Sequence, residues 1–150
     1  MKILMVCLGN ICRSPLAHGI LQDKIEKQGL DWEIDSAGTG SWHIGKLPDP
    51  RSIATASNND IDITYQRARQ FRSIDFDNYD LIFAMDSSNY QKIKSNSKDS
   101  KDHDKVELIM NLVEPGRNIS VPDPYWDDDG FNKVYDMLDK ATDALIKKYR

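Results

Sequence analysis

The sequence has few of the residues from which metal sites and disulfide frameworks are built. It contains two cysteines and three histidines, and the histidines are scattered at His18, His43 and His103. Cys7 and Cys12 are too few and too close together for a disulfide scaffold. No second Cys or His pair stands beside them to complete a zinc site. We therefore expect neither a metal ion nor another cofactor.

Long apolar runs and an excess of positive charge are also missing. No apolar stretch reaches the roughly 18 residues that a helix needs to cross a bilayer. The N-terminus carries no signal-peptide pattern. The formal net charge is −4, which argues against broad electrostatic binding of nucleic acid. We expect a cytoplasmic protein that works away from membranes and nucleic acids and is a monomer by default.

The 150 residues fit one compact domain, 1–150, of ordinary globular composition. Strands are predicted at 2–6, 32–36, 79–85 and 106–112. Helices are predicted from a Ser14 cap to Gly29, at 50–58 with Asp49 as cap, at 73–76, at 87–94 and in a long amphipathic stretch from Phe131. Residues 37–50 and 95–104 are predicted as loops.

This alternation of strands and helices predicts an α/β fold, with a parallel sheet covered by helices on both faces. In such sheets, ligands bind beyond the carboxyl ends of the strands. The most informative segment lies at that edge, because the first predicted strand runs directly into the octapeptide Cys-Leu-Gly-Asn-Ile-Cys-Arg-Ser at 7–14.

The octapeptide has the layout of an anion cradle. A tight loop between a strand and a helix directs successive backbone N–H groups into one hollow, where the helix dipole adds positive potential. Gly9 permits close approach of the backbone, and Asn10 tolerates the left-handed region and can tie the loop with its side chain. The predicted phosphate-binding residues are Leu8, Gly9, Asn10, Ile11, Cys12, Arg13 and Ser14.

The same loop offers a nucleophile, Cys7. The planar guanidinium of Arg13 can bind two phosphate oxygens at once and stabilise a transferring phosphoryl group. This positive field also stabilises a thiolate, and Ser14 is placed to donate a hydrogen bond to the sulfur. Cys7 would then attack phosphorus and form a cysteinyl-phosphate. A lone cysteine after a strand is more often a small core residue, but Arg13 and Ser14 at this spacing favour the nucleophile. No Gly-Lys-Ser/Thr is present, so a nucleotide-binding P-loop fits less well.

The pattern Val-Cys-Leu-Gly-Asn-Ile-Cys-Arg-Ser-Pro at 6–15 closely resembles the signature of the low-molecular-weight protein tyrosine phosphatases. Segments 34–39, 48–51, 68–71, 83–86 and 121–125 resemble the family's landmarks in the family's order, so the resemblance covers essentially the whole chain. It implies a three-layer α/β/α fold of the phosphotyrosine protein phosphatase I type, with a four-stranded parallel sheet and the phosphate loop after the first strand. It also implies metal-independent hydrolysis of phosphotyrosine and aryl phosphates through a cysteinyl-phosphate.

The resemblance assigns the general acid to Asp123, in Pro-Asp-Pro-Tyr. This carboxyl would protonate the leaving oxygen and then act as base on the water that hydrolyses the intermediate. From the residues alone, Asp-Pro more often marks a turn, and the dipeptide recurs at Asp49-Pro50. The predicted catalytic residues are thus Cys7, Arg13 and Asp123, and those predicted to support the loop are Asn10, Ser14 and Ser36.

The resemblance further implies two aromatic walls and a redox pair. Trp42 would form one wall of the cleft, and Tyr125 and Trp126 the other, with a phenyl ring between them. The family often has a second tyrosine at the position of Trp126. A packing role for Trp42 on the body of the domain is the alternative. Cys12 is close enough in sequence to form a reversible disulfide with Cys7 under oxidants, or simply packs within the loop.

Two other functions compete with the phosphatase. An arsenate reductase of the same fold needs further thiols, and this chain has no cysteine after Cys12. A non-catalytic phosphopeptide-binding module would have no need for Asp123. The expected substrate is a phosphotyrosine protein, for which a tyrosine autokinase is one candidate, with phosphate and other oxyanions as inhibitors. Phosphoarginine and small-molecule phosphates remain open as substrates, because the cradle recognises the phosphoryl group more than its carrier.

Overall fold

The computed structural model describes all residues from Met1 to Arg150 and contains one four-stranded parallel sheet. Its strands are β1 (Lys2–Cys7), β2 (Glu33–Gly38), β3 (Leu81–Ala84) and β4 (Val106–Leu108), in the order β2-β1-β3-β4. β1 lies between β2 and β3 and pairs in parallel with both. A central parallel strand is covered on both faces, which is why β1 reads as a continuous apolar run.

Helices cover both faces of this sheet. They are α1 (Arg13–Gln28), α2 (Pro50–Asn58), α3 (Asp75–Asn78), α4 (Ser87–Ser95), α5 (Ser100–Asp104) and α6 (Phe131–Tyr149). Shorter 3-10 turns lie at Ile109–Leu112, Pro124–Trp126 and Asp128–Gly130. No helix is both long enough and apolar enough to span a lipid bilayer.

The alternation of side chains along β1 divides the interior into two cores. Ile3, Met5 and Cys7 point to a core shared with α1, α2 and α6. Leu4 and Val6 point to a second core shared with α3 and α4. The predicted three-layer α/β/α fold with four parallel strands is thus confirmed. Cys7 lies at the carboxyl end of the central strand.

Several predicted elements differ from the structure, among them the helix predicted at 73–76, which is Asp75–Asn78. Residues 95–104, predicted as a loop, contain α5, because Asp99 caps the helix by accepting a hydrogen bond from the Asp102 backbone N–H at 3.1 Å. Asp102 is the buried residue of this helix, so no apolar periodicity marks it. The fourth strand ends at Leu108, and Ile109–Leu112 form a 3-10 turn that buries Ile109 and Met110.

The start of α1 also differs from the prediction. Ser14 does not cap the helix, which begins at Arg13 and has no side-chain cap. The Ser14 side chain is fully buried and is directed instead toward Cys7 and Asn10. At the other end, the predicted stop is confirmed, since Gly29 adopts a left-handed φ of 67°.

Candidate active site

The loop between β1 and α1 is held from outside by its carbonyl groups. Backbone N–H groups of Thr39, Gly40 and Asp49 donate to the carbonyls of Cys7, Leu8 and Ile11 at 2.8–2.9 Å. The backbone N–H groups of residues 8–12 donate to no other backbone or side-chain atom of the protein. With the carbonyls occupied on the outside, the free donors form an anion cradle at the N-terminus of α1.

Two residues allow this compact turn. Asn10 has a left-handed φ of 57°, a conformation that asparagine tolerates better than most residues. Gly38, at the end of β2, packs directly on the loop. A Cβ atom there would lie 2.7 Å from the Leu8 carbonyl oxygen and 3.0 Å from the Asn10 nitrogen, so only glycine fits. We refer to residues 7–14 in this conformation as the phosphate loop.

A buried hydrogen-bond network fixes the Cys7 sulfur. The Sγ atom lies 3.1 Å from the Ser14 hydroxyl oxygen. The Asn10 side-chain amide donates to the hydroxyls of Ser14, at 2.7 Å, and Ser36, at 3.0 Å. The Ser14 hydroxyl, which accepts from Asn10, has two acceptors within reach of its own proton: the Cys7 sulfur at 3.1 Å and the Ala37 carbonyl oxygen at 3.4 Å. The Asn10 oxygen accepts from the backbone N–H of Arg69 at 3.0 Å, which ties the loop to a distant segment.

The network continues to two side chains that the sequence did not predict. Ser36 lies 3.4 Å from Nδ1 of His18 and 3.5 Å from the side-chain oxygen of Gln66. Burial lowers the pKa of His18 to about 4, against a weaker raising effect of Asp35. His18 is therefore neutral at pH 7. The sequence did not identify His18 as a site residue, because a single histidine on the inner face of a helix is more often part of the core.

Arg13 is directed into the site by partners on two other elements. The guanidinium is almost completely buried, and one Nη donates to Asp86 at 2.6 Å and to the Val121 carbonyl at 3.0 Å. Burial alone would lower the pKa of Arg13, but the charges of Cys7 and Asp86 outweigh it and raise the pKa. Arg13 is thus a fixed cation beside the thiol.

Asp86 was not predicted as a site residue. It follows β3 at the same sheet edge as Cys7 and also caps α4, accepting from the Asn89 N–H at 2.8 Å. Its position in the sequence could have identified Asp86, because it comes just after a predicted strand, and polar side chains that follow parallel strands lie together at the carboxyl edge of the sheet.

Asp123 faces Arg13 from the long connection before α6. One carboxylate oxygen lies 3.7 Å from the second Nη of Arg13, and the other accepts from the Tyr125 N–H at 3.0 Å. About a third of the side chain is exposed. Asp123 is therefore held by Arg13 and by its own turn, yet is open to a ligand in the pocket.

A pocket of about 340 Å³ opens over the phosphate loop. It is lined by Cys7, Leu8, Gly9, Ile11, Cys12, Arg13, Trp42, His43, Asp123, Tyr125 and Trp126. Asn10, Ser14 and Ser36 lie beneath the pocket rather than in its wall. His43 was not predicted as a lining residue; its ring lies beside Gly9, 3.0 Å from where a Cβ atom of that residue would stand.

The aromatic residues at the mouth of the pocket are exposed. Trp42 packs one edge of its ring on Gly40 but keeps 67% of its surface accessible. Trp126 is 88% exposed and meets the ring of Tyr125 edge-on, with 4.8 Å between ring centroids. Trp42, Tyr125 and Trp126 thus present flat apolar surfaces to whatever enters.

Cys12 lies in the wall of the same pocket as Cys7, and both thiols are free and buried. Burial raises the pKa of Cys12 to about 12, with further raising effects from Asp49 and Cys7. Cys12 is therefore a protonated thiol near neutral pH, unlike a group prepared for nucleophilic attack.

Comparison with known proteins gives a consistent result. The family model described as low molecular weight phosphotyrosine protein phosphatase matches residues 2–150. The low molecular weight phosphotyrosine protein phosphatase of Schizosaccharomyces pombe is 44% identical over 150 residues, covering 97% of this chain and 95% of that protein.

Solved structures agree with the sequence comparisons. A crystal structure of a protein tyrosine phosphatase from Entamoeba histolytica, with Hepes in its active site, is 36% identical with a TM-score of 0.92, covering 99% of this chain and 96% of that one. The crystal structure of a Drosophila arginine phosphatase is 31% identical with a TM-score of 0.93, covering 100% and 98%. The chain therefore belongs to the low-molecular-weight phosphotyrosine protein phosphatases and is a protein-tyrosine phosphatase.

Proposed function

We propose that the enzyme transfers the phosphoryl group in two steps, with Cys7, Arg13 and Asp123 as catalytic residues. In the first step, the Cys7 thiolate attacks phosphorus, the P–O bond to the leaving group breaks, and Asp123 gives its proton to the departing oxygen. In the second step, Asp123 takes a proton from water, the water oxygen bonds to phosphorus, and the S–P bond breaks to release phosphate.

One observation carries this proposal. The Cys7 sulfur, the Arg13 guanidinium and the Asp123 carboxylate line a single pocket, while Asp86 orients Arg13 from behind at 2.6 Å. The backbone donors of residues 8–12 and the Arg13 fork would hold the equatorial phosphoryl oxygens, and they change little during the reaction. Asn10, Ser14 and Ser36 would act by fixing the shape of the loop.

The assay that tests these assignments is hydrolysis of aryl phosphates in the presence of EDTA by wild type, Cys7→Ser and Asp123→Ala. Cys7→Ser should be inactive, and equal residual activity would refute the nucleophile. Asp123→Ala should lose more activity on phenyl phosphate than on nitrophenyl phosphate, since the poorer leaving group needs the proton more. Loss of wild-type activity with EDTA would refute the metal-independent mechanism.

The walls of the pocket favour a flat aromatic substrate group. Trp42, Tyr125 and Trp126 line the pocket with aromatic surface that suits a phenyl ring, and Leu8 and Ile11 add further apolar lining. We propose that the substrate is phosphotyrosine in exposed segments of proteins, and that a tyrosine autokinase is one such protein. We also propose that the enzyme is a monomer of one domain, 1–150, and works in the cytoplasm.

A phosphoarginine substrate is the second candidate, because the Drosophila protein of the same fold is titled an arginine phosphatase. The two are separated by comparing kcat/KM on peptides that differ only in carrying phosphotyrosine or phosphoarginine. The aromatic walls lead us to expect preference for phosphotyrosine. An arsenate reductase and a non-catalytic binding module are less favoured, because the named relatives are phosphatases.

We also propose a reversible disulfide between Cys7 and Cys12. A peroxide would oxidise the Cys7 thiolate to a sulfenic acid, and the Cys12 thiol would displace water from it to form the S–S bond. The shared pocket wall supports the pairing, and the raised pKa of Cys12 makes Cys7 the thiol that peroxide would oxidise first. Mass spectrometry after peroxide treatment should find the Cys7–Cys12 link and its loss with added thiol. An irreversible sulfonate at Cys7 would count against the switch.

A further inference from the structure

The connection that carries Asp123 is held mainly by its own turns. Residues 122–130, called here the acid segment, include Asp123, Tyr125 and Trp126 and form two short 3-10 turns closed by local hydrogen bonds. Two ion pairs tie the segment's side chains to the rest of the protein: Arg13 with Asp123, and Arg51 with Asp128. The first lies inside the catalytic pocket. The second lies outside it.

Arg51 is anchored to the outer side of the phosphate loop. Its Nε and Nη2 bind the two carboxylate oxygens of Asp49 at 3.0 and 2.9 Å. Asp49 is the N-cap of α2, and its own N–H donates to the Ile11 carbonyl at 2.8 Å. A fork bonded to both oxygens of one carboxylate leaves little freedom of rotation, so Arg51 is fixed relative to the loop.

From this anchor Arg51 reaches the acid segment in two ways. Its Nη1 donates to Asp128 at 2.5 Å. The guanidinium carbon also lies 5.5 Å from the centroid of the Tyr125 ring and 4.7 Å from that of Phe131, within the range of cation–π attraction. Arg51 therefore contacts the segment close to its aromatic wall and at the point where α6 begins.

We propose that Arg51 is a positioning residue for the phosphatase reaction, which holds the acid segment at a fixed distance from the phosphate loop. Arg51 does not line the pocket, so it acts through Asp123 and Tyr125 rather than on the substrate. This inference rests on the proposed role of Asp123 as the general acid.

The effect on position should exceed the effect on stability. The Arg51–Asp128 pair is exposed to solvent, and such pairs contribute little to the free energy of folding. Proton transfer is far more sensitive, because a misplacement of about 1 Å can cost on the order of 100-fold in rate. A lysine at position 51 could not replace the arginine, since it cannot bind both oxygens of Asp49 and still reach Asp128 as a planar fork.

The test compares Asp128→Asn with Asp129→Asn. Both remove one negative charge from neighbouring exposed positions, but only Asp128 is bound by Arg51, and the contacts of Arg51 with Asp49 stay intact. In Asp128→Asn we expect kcat/KM for phenyl phosphate to fall about tenfold, and that for nitrophenyl phosphate to fall about threefold or less. Inhibition by inorganic phosphate should not change, and Asp129→Asn should match wild type throughout.

Equal losses on both substrates in Asp128→Asn, or no loss at all, would overturn the proposal. Arg51→Ala and Arg51→Lys should repeat the selective loss on phenyl phosphate, and a fully active Arg51→Lys would show that charge alone suffices, against the proposed fork. The unfolding midpoint of each variant in urea separates loss of activity from loss of fold.

A double substitution separates this inference from the function on which it rests. In an Asp123→Ala background, adding Asp128→Asn should not change the ratio of kcat/KM for phenyl phosphate to kcat/KM for nitrophenyl phosphate any further, because the general acid has already been removed. A further change in the ratio would overturn the proposal. If Asp123→Ala itself affects both substrates equally, the acid assignment fails and the Arg51 proposal falls with it.

Discussion

The phosphate loop and the rim of the pocket are built in opposite ways. In the loop, Asn10, Arg13 and Ser14 are almost completely buried, and these three side chains are held by hydrogen bonds. At the rim, Trp42 and Trp126 are mostly exposed, with Trp42 packed on Gly40 and Trp126 against the ring of Tyr125. In the proposed reaction, the phosphoryl group would meet a surface fixed by buried hydrogen bonds. The group that carries it would meet surface side chains that can change at little cost to the fold.

The largest difference between the two regions should appear on replacing Arg13. We expect Arg13→Ala and Arg13→Lys each to lower kcat/KM on aryl phosphates by about 1,000-fold, because neither restores the planar donor fork opposite the phosphoryl oxygens. Steady-state kinetics on nitrophenyl phosphate measures this loss. An Arg13→Lys enzyme within about tenfold of wild type would mean that the loop needs only a positive charge.

The second-largest effect should come from removing the Asn10 side chain, which holds the phosphate loop together by hydrogen bonds. Asn10→Ala leaves the buried groups around Ser14, Ser36 and the Arg69 N–H without their partner, and we expect a loss of about 3 kcal/mol in the free energy of unfolding. Urea denaturation measures it. Asp60→Ala is the control, since Asp60 shares the left-handed φ, at 62°, at an exposed position where its side chain makes no hydrogen bond. Equal losses in both variants would assign the effect to the backbone conformation alone.

The inner end of the network should make stability depend on pH. The folded pKa of His18, about 4, lies below the ordinary value of 6.5, so the unfolded chain binds the proton first as pH falls. The stability that neutral His18 contributes is fully present above pH 6.5 and is lost progressively as the pH falls toward 4. At about 1.4 kcal/mol per pKa unit, the loss in the free energy of unfolding reaches roughly 3 kcal/mol.

Urea unfolding of wild type, His18→Gln and His103→Gln between pH 7 and 4 tests this dependence. His18→Gln should flatten the loss of stability below pH 6.5, while His103→Gln, at an exposed position, should keep the wild-type slope. A wild-type slope in His18→Gln would show that other groups dominate acid unfolding.

The rim should give the smallest effects, and they should appear in binding. Trp42→Ala is expected to raise KM for a phosphotyrosine peptide by about fivefold, with kcat, the inhibition constant of inorganic phosphate and the unfolding free energy unchanged. Trp126→Ala, more exposed still, should raise KM by about twofold or less. A large drop in kcat in either variant would show that the rim takes part in positioning the reacting group.

What could be predicted from the sequence follows the range of the contacts. The apolar run of β1 and the phosphate loop are local, so Cys7, Asn10 and Arg13 could be identified from eight neighbouring residues. Asp86 binds Arg13 across 73 residues of sequence, and Arg51 binds Asp128 across 77. No local pattern in the sequence predicts that either pair is in contact. The sequence predicts two uses of the Ser14 hydroxyl, a helix cap and a hydrogen bond with the Cys7 sulfur, and only the fold shows that the cap is absent and the sulfur contact is made.

The most direct test of the account is to trap the covalent intermediate. In Asp123→Ala, nitrophenyl phosphate can still load the enzyme, because its leaving group needs little proton donation, while hydrolysis of the intermediate lacks its base. Rapid acid quenching followed by peptide mass spectrometry should then find phosphate on Cys7 and none in the Cys7→Ser, Asp123→Ala double variant. Phosphate on any other residue, or continued turnover with Cys7 never modified, would contradict the account.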